Sequence, residues 1–287
     1  MASVVPIFRD SAFDAEATLA MGHAYDIACR SLRPNGRLPV IQELLATKIV
    51  QAAQRGERDP ERLATIALGI LGRFHSDVTR RFGLVPNFFM SAPDAPEIVE
   101  KLWDFAKSAY LDNPIPSLFK ERLFVFLSRF CQVRYCIVRH CGFLAGYGHS
   151  SGDASAPPQN IEQVLRLLRV LPPWRRQLEP IYNRLAAFKT PTDWPDPESE
   201  IEDCVFAAAA VIFVEPGKSE RARDALRQAL GGKRLEYLLA LLAFIRAAHF
   251  WTVAHPGLEI EDDMRTLMSE EKELALLLLQ DPDLPDR

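Results

Sequence analysis

The chain has 287 residues, 48% of them hydrophobic and 25% charged, so it can bury a full core as one large domain or two modest ones. A net charge of −4 excludes the electrostatic footprint of a nucleic-acid-binding protein. We expect no signal peptide and no membrane span, because apolar stretches such as Cys204–Val214 fall short of the roughly 20 residues that cross a bilayer. Five cysteines are too few for a disulfide scaffold. These features favour a cytoplasmic protein.

The spacing of apolar residues predicts a succession of helices and no strand. The predicted helices cover residues 13–33, 38–55, a segment from Pro60, 96–110, 121–143, a segment around 161–168, 174–188, 200–214, 219–230, 233–253 and 264–279. Asp14 and Asp59 stand where a helix N-cap is favoured, and Ser117 is placed to cap the central helix. Gly146–Pro158 is the most loop-like segment. The sequence therefore predicts an all-α fold.

Turn and loop signals divide these helices at Pro34–Gly36, Pro172-Pro173 and Thr190–Pro197. We expect three regions along the chain: an N-terminal helical arm (1–58), a helical core (59–268), and a C-terminal helix end with a fraying tail (269–287).

The segment Glu121–Phe143 carries the chemistry of the chain. Its apolar residues recur at helical spacings, which predicts one buried helix. The reactive and charged residues along it are Arg129, Cys131, Arg134, Cys136, Arg139, His140 and Cys141. Cys136 and His140 are four residues apart, so a helix brings them onto the same face. The arginines, with Arg122, could activate sulfur, pair with acids on neighbouring helices or line an anion site.

The run from Phe82 to Phe143 resembles the AhpD-like superfamily, which includes the alkylhydroperoxidase and carboxymuconolactone decarboxylase families. Members share an aromatic Pro-Asn-Phe entry, a helix, a loop, and a second helix that begins with Glu and carries Cys-x-x-Cys followed by His. Here Glu121 occupies the carboxylate position, Cys136 the second cysteine and His140 the histidine, while Val133 stands where the first cysteine would be. The resemblance implies an AhpD-like helical bundle with extra N-terminal and C-terminal helices, assembled as a homo-oligomer.

The retained residues suggest a thiol peroxide reductase. Cys136 would be the nucleophile, His140 its base, and Glu121 the group that orients the base or relays the proton. The candidate resolving or auxiliary residues are Cys131, Cys141 and Tyr135. Such an enzyme would act on a peroxide or another small molecule with a thiol reductant, and we expect neither a cofactor nor a metal.

Helical geometry sets two conditions on this chemistry. On one continuous helix Glu121 lies about 60° from Cys136 but four turns away, so contact requires a break near Cys131–Tyr135 or a water relay. Cys136 is five residues from both Cys131 and Cys141, which places each pair about 140° apart. Neither pair can form a disulfide without unwinding, so a disulfide would need Cys204, another subunit or an external thiol. One-cysteine chemistry, with Cys136 oxidised to a sulfenic acid, is the other route.

A second class of function fits the same residues. The chain could be a non-catalytic sensory or interaction module of bacterial signalling that kept the fold and lost the dithiol, since buried cysteine and histidine are often structural. His249 and His255, six residues apart, could bind a metal only if the helix broke between them. His149, in the glycine-rich loop, could reach over the central helix.

Overall fold

The computed structural model describes residues 13–31, 39–92, 95–171, 177–188 and 193–279. Within these ranges the protein consists of helices and connecting segments, without a strand, which confirms the all-α prediction. The predicted turns at Pro34–Gly36 and Pro172-Pro173, the start of the connector at Thr190, and the tail from residue 280 lie outside the described residues.

The helices, in chain order, are α1 (Ala15–Ser31), α2 (Pro39–Gln54), α3 (Pro60–Phe82), α4 (Pro96–Ala106), α5 (Ser117–Phe130), α6 (Arg134–Leu144), α7 (Ile161–Leu168), α8 (Leu178–Ala187), α9 (Glu200–Val214), α10 (Glu220–Leu230), α11 (Gly232–Ala254), α12 (Asp262–Glu270) and α13 (Lys272–Leu279). A π-helical turn, Lys107–Leu111, follows α4, and a 3-10 turn, Ser150–Gly152, lies in the predicted loop. Two predicted helices are each divided, 121–143 between α5 and α6, and 264–279 between α12 and α13.

Two of the three predicted caps are present. Asp14 accepts a hydrogen bond from the Ala17 amide at 2.7 Å, and Asp59 accepts one from the Arg62 amide at 2.8 Å. The prediction that Ser117 caps the central helix is wrong. Pro116 takes the N-cap position with extended backbone angles, so that Ser117 becomes the first residue of the helix itself.

The chain divides into two compact units, one reaching Arg80 and including Phe88–Trp103, the other formed by Arg81–Asn87 and the chain from Asp104 onward. In the first unit, α1, α2 and the start of α3 share one core of mostly small apolar side chains. Because α3 contributes to that core, the expected boundary at residue 58 falls inside this unit.

In the second unit α5 is the central helix. Every residue from Phe119 to Ser128 is buried, as is every residue from Tyr135 to Leu144 in α6. Helix α5 packs against α6, α7, α9 and α11, and α11 also packs against α6, α9, α10 and the π-helical turn. Glu121, Cys136 and His140 therefore lie inside a helical core.

Helix α11 is a 23-residue helix with the length and apolar composition of a membrane span, the single such helix within the part of the chain that the structure describes. The sequence prediction did not single it out. In its most apolar 18-residue window, 44% of the residues are buried inside the protein. Core helices of soluble proteins share these properties, so they do not assign α11 to a membrane.

Candidate functional site

A break in the predicted central helix creates the site. Gln132 has a φ of 55°, in the left-handed region, and a right-handed helix cannot continue through such a residue. Cys131 ends α5 by donating its amide to the Leu127 carbonyl at 3.1 Å, and Val133 becomes the N-cap of α6. The prediction of one continuous helix is therefore wrong. The break meets the condition set for Glu121 to reach the residues of α6.

Glu121 is the centre of a buried hydrogen-bond network. Its side chain is 0% exposed, and its Oε1 lies 2.5 Å from Nδ1 of His140. Its Oε2 accepts hydrogen bonds from the Tyr110 hydroxyl at 2.5 Å and from the Ser151 amide at 2.6 Å. A buried carboxylate requires partners of this kind, because removal from water strongly disfavours an unpaired charge.

Tyr110 reaches Glu121 from the π-helical turn Lys107–Leu111. Nζ of Lys120 supports that turn by donating to the carbonyls of Tyr110, Leu111 and Asn113, at 2.6, 3.0 and 3.1 Å. Burial, reinforced by the charge of Glu121, raises the pKa of Tyr110 well above its ordinary value. The phenol therefore keeps its proton and serves Glu121 as a donor. Tyr110 was not among the residues predicted from the sequence, which indicated an ordinary helix over 96–110. The π-helical turn that holds Tyr110 is a feature frequent at functional sites.

Ser151 supplies further contacts from the Gly146–Pro158 loop. Its backbone is left-handed, with φ 49° and ψ 32°, which is uncommon for a residue other than glycine. Its hydroxyl lies 2.9 Å from the Ser117 carbonyl and 3.0 Å from Oε2 of Glu121, and its one proton can serve a single acceptor at a time. His149, by contrast, places its Nδ1 3.0 Å from the Arg81 carbonyl.

His140 is packed among aromatic rings and retains a small exposed surface. The Phe124 ring stacks on the imidazole with centroids 3.6 Å apart, and Phe143 meets it edge-on at 5.6 Å. The side chain is 11% exposed. Among the described residues, its hydrogen bond to Glu121 through Nδ1 is the one that the ring makes. With a proton on Nδ1 facing the carboxylate, Nε2 presents a lone pair that can accept a proton or a hydrogen bond.

Cys136 lies in the first turn of α6, but its sulfur does not bond to His140. Sγ is 3.5 Å from the Thr252 hydroxyl on α11, and the residue is 2% exposed. Burial raises the pKa of the Cys136 thiol to about 12, although the hydrogen bond with Thr252 acts in the opposite direction. The side chain is therefore a thiol at neutral pH. The structure brings Glu121 and His140 together and leaves Cys136 with a different partner.

The predicted auxiliary residues lie in three different surroundings. Cys131 is exposed in the turn between α5 and α6, and Cys141 is buried, which raises its pKa. Tyr135 donates its hydroxyl to Oε1 of Glu261 at 2.5 Å, where the Asn87 amide also donates at 2.7 Å. All five cysteines of the chain are thiols.

Two of the arginines pair with acids on neighbouring helices. Arg122 on α5 makes a bidentate contact with Glu202 on α9, at 2.8 and 2.9 Å. Arg139 on α6 donates from the single nitrogen Nη1 to both carboxylate oxygens of Asp263 on α12, at 2.9 and 3.0 Å. These contacts join helices around the site, which is one of the three roles considered for the arginines.

His249 in α11 and His255, which follows the end of that helix, bind different partners. Nε2 of His249 lies 2.8 Å from the Ser128 hydroxyl, whereas Nδ1 of His255 lies 2.7 Å from the Trp251 carbonyl. Burial and the nearby His140 lower the pKa of His249 to about 3. Across the described ranges, no group of three or more His, Cys, Asp or Glu side chains is arranged to hold a metal ion.

Protein-family models, curated proteins and solved structures contain no match to this chain. The resemblance to the AhpD-like superfamily therefore stays a prediction from the sequence. The geometry of the two residues is nevertheless clear. Nδ1 of His140 faces the buried carboxylate of Glu121, and Nε2 of the same ring points away from that carboxylate. Such a group can take up a proton or hold a ligand.

Proposed function

We propose that this chain is an AhpD-like helical module that binds a small molecule beside His140, in a sensory or interaction role and without thiol-based turnover. The observation that carries the proposal is the contrast between two neighbouring residues. His140 is fixed by Glu121 at 2.5 Å, whereas the Cys136 thiol is buried against Thr252 with its pKa raised to about 12. A thiol attacks peroxides as thiolate, so the raised pKa opposes peroxidase chemistry.

The surroundings of His140 support a binding role. Nε2 provides one polar group beside the rings of Phe124, Phe143 and Tyr110, which face the imidazole. Ligand sites of this kind combine an apolar wall with few fixed polar groups. The proposed ligand is therefore small and mostly apolar.

We propose in addition that the module works in the cytoplasm as a homo-oligomer. The exposed side chains of Phe250 and Val253 on α11 favour the oligomer.

A thiol peroxide reductase is the second candidate, favoured by the place of Cys136 in the helix. It lies in the first turn of α6, where the helix dipole stabilises a thiolate, and Cys131 is exposed in the preceding turn. In this reaction the Cys136 thiolate attacks a peroxide oxygen, the O–O bond breaks, and the products are a sulfenic acid and an alcohol after proton transfer through His140. One external thiol then condenses with the sulfenic acid to a mixed disulfide and water, and a second external thiol releases the Cys136 thiol and leaves as the disulfide of the reductant.

Peroxide consumption separates the two candidates. The full chain is incubated with cumene hydroperoxide and dithiothreitol, beside the Cys136→Ser variant. We expect the same background rate from both proteins. Consumption that depends on Cys136 would contradict the binding proposal and establish the reductase.

The Val133→Cys variant serves as the matched gain-of-function test. It restores the Cys-x-x-Cys spacing at the N-terminus of α6, with Cys136 as the second cysteine. Turnover in this variant, together with none in the parent chain, would identify the missing dithiol as the reason for the lack of activity.

A further inference from the structure

The Ser128–His249 pair lies between α5 and α11, outside the network centred on Glu121. His249 is 6% exposed, and its Nε2 lies 2.8 Å from the Ser128 hydroxyl. Its ring stands edge-on to Phe124 and Phe213, with centroids 5.9 and 5.4 Å away. Its Nδ1 is buried and has no hydrogen-bond partner among the described residues. Buried polar atoms in proteins are nearly always paired, so this atom requires an explanation.

The number of protons on the His249 ring and the Ser128 hydroxyl decides whether the unpaired Nδ1 is a donor or an acceptor. A neutral imidazole has one N–H donor and one acceptor nitrogen. If Nε2 donates to Ser128, two groups stay unpaired, the acceptor Nδ1 and the hydroxyl proton, because Ser128 makes no other side-chain hydrogen bond within the described residues. If Ser128 donates to Nε2, the Nδ1 hydrogen alone is unpaired. The second tautomer leaves fewer buried groups without partners, so Nδ1 is a donor that lacks an acceptor.

The neighbouring side chains restrict the acceptor. The aromatic rings around His249 disfavour an ion, since burying an unpaired charge is costly. They also disfavour an isolated water, which needs two to four polar partners. Phe124 lies edge-on to His249 and stacks on His140 at 3.6 Å, so the two imidazole rings share one aromatic neighbour.

We propose that the Nδ1 hydrogen of His249 is the donor of a ligand site between α5 and α11, and that its ligand is a small, neutral, mostly apolar molecule with one acceptor oxygen, such as a ketone. This inference rests on the proposed binding function and adds the chemical class of the ligand. The oxygen of that ligand binds Nδ1 of His249 and not Nε2 of His140, because two acceptors do not form a hydrogen bond. It also assigns a role to His249, which the sequence considered only as a metal ligand. The oxygen accepts from Nδ1, and the hydrocarbon part packs against the aromatic rings.

A nitrogen-15 NMR titration of the full chain, labelled in histidine, tests the proposal. The probe is cyclohexanone, and methylcyclohexane is the matched hydrocarbon without an acceptor. We expect a saturable shift of the His249 Nδ1 resonance with the ketone and no comparable shift with the hydrocarbon. A response that does not saturate, or an equal response to both probes, would overturn the proposal. So would an Nδ1 resonance that the ketone leaves unchanged, as when water occupies the site.

Variants assign the His249 resonance and test the role of His249 in ketone binding, while the titration of the parent chain is decisive without them. His249→Phe removes the resonance and should weaken ketone binding about tenfold or more, whereas His140→Gln should retain the shift at His249. If His249→Phe does not fold, Ser128→Ala identifies the resonance instead, because loss of the hydroxyl changes the signal of Nε2. Failure of this inference is distinguishable from failure of the proposed function, because peroxide consumption through Cys136 is measured independently of ketone binding.

Discussion

The buried carboxylate of Glu121 accounts for the hydrogen-bond donors that surround it. A carboxylate with no solvent exposure is stable only when donors surround it, and the chain supplies these from α6, from the π-helical turn and from the loop after α6. Three separate segments therefore converge on one side chain. The same contacts fix the orientation of His140, so the stability of the fold and the geometry of the site depend on the same hydrogen bonds.

Tyr110→Phe tests the contribution of one of these donors. The variant removes a hydrogen bond to a buried charged group, so we expect the free energy of unfolding to fall by about 2 kcal/mol. Urea unfolding measures the change. Tyr182→Phe is the matched control, because the Tyr182 ring is buried and its hydroxyl makes no hydrogen bond in the ranges that the structure describes. We expect a change within about 0.5 kcal/mol for the control, and equal effects from both variants would contradict the assigned role of Tyr110.

At the scale of elements, the spacing along the chain selected Glu121, Cys136 and His140 as candidates, because helical periodicity and the family resemblance depend on sequence separation. The break between α5 and α6 was not predicted, since its left-handed residue is Gln132 and carries no Gly or Pro signal. Tyr110 was missed for a similar reason. A π-helical turn has the composition of an ordinary helix, and its extra residue per turn shifts which side chain faces α5.

Gly142→Ala tests the packing of α6 against α12. A Cβ at this position would collide with the thioether of Met264 and come within 2.9 Å of Nη2 of Arg139. We expect the free energy of unfolding to fall by about 2 kcal/mol because of overpacking. In a Met264→Ala background the penalty should shrink, since the colliding atoms are removed.

The control for this substitution is Gly22→Ala in α1, where an added Cβ meets nothing within 4 Å. That variant should gain up to about 1 kcal/mol from the better helix propensity of alanine. Thermal or urea unfolding reports both variants. A Gly142→Ala protein as stable as its parent would show that α12 does not pack closely on α6.

Lys120→Met tests how the π-helical turn is held. The variant leaves three buried carbonyl groups without their shared ammonium donor, so we expect a loss of about 3 kcal/mol in the free energy of unfolding. Lys218→Met, at an exposed position with a surface ion pair, should change it by less than about 0.5 kcal/mol. A small effect at Lys120 would mean that the turn is maintained by packing alone.

For the whole molecule, the all-α fold was predictable because helical periodicity recurs along nearly the whole chain. The division into two units was harder to predict from the sequence, because it depends on α3 packing with α1 and α2 and not on a linker. Helix α11 contributes both buried and exposed residues to the second unit. Its buried residues include His249 and Thr252, which contact Ser128 and Cys136, and its exposed residues include Phe250 and Val253.

The pKa of His249 predicts how the stability of the protein depends on pH. It is about 3 in the folded protein and close to 6.5 in an unfolded chain, so between these values the unfolded state binds more protons. The free energy of unfolding should therefore fall with decreasing pH from about 6.5, by up to about 1.4 kcal/mol per pH unit from this group.

Urea unfolding between pH 7 and pH 4.5 measures that slope. His249→Phe should reduce it, whereas His23→Gln, a change at an exposed position of α1, should leave it unchanged. Parallel stability curves for the parent and His249→Phe would contradict a buried, neutral His249.

The most direct test of the central claim is the rate at which iodoacetamide alkylates Cys136 in the folded protein between pH 6 and pH 10. Trypsin places Cys131, Cys136 and Cys141 on separate peptides, because Arg134 and Arg139 separate them, so mass spectrometry follows each thiol independently. We predict that exposed Cys131 reacts readily and that Cys136 stays almost unmodified below pH 9, as its burial and raised pKa require. Fast alkylation of Cys136 with a midpoint near pH 7 would contradict this account and identify the residue as a reactive thiolate.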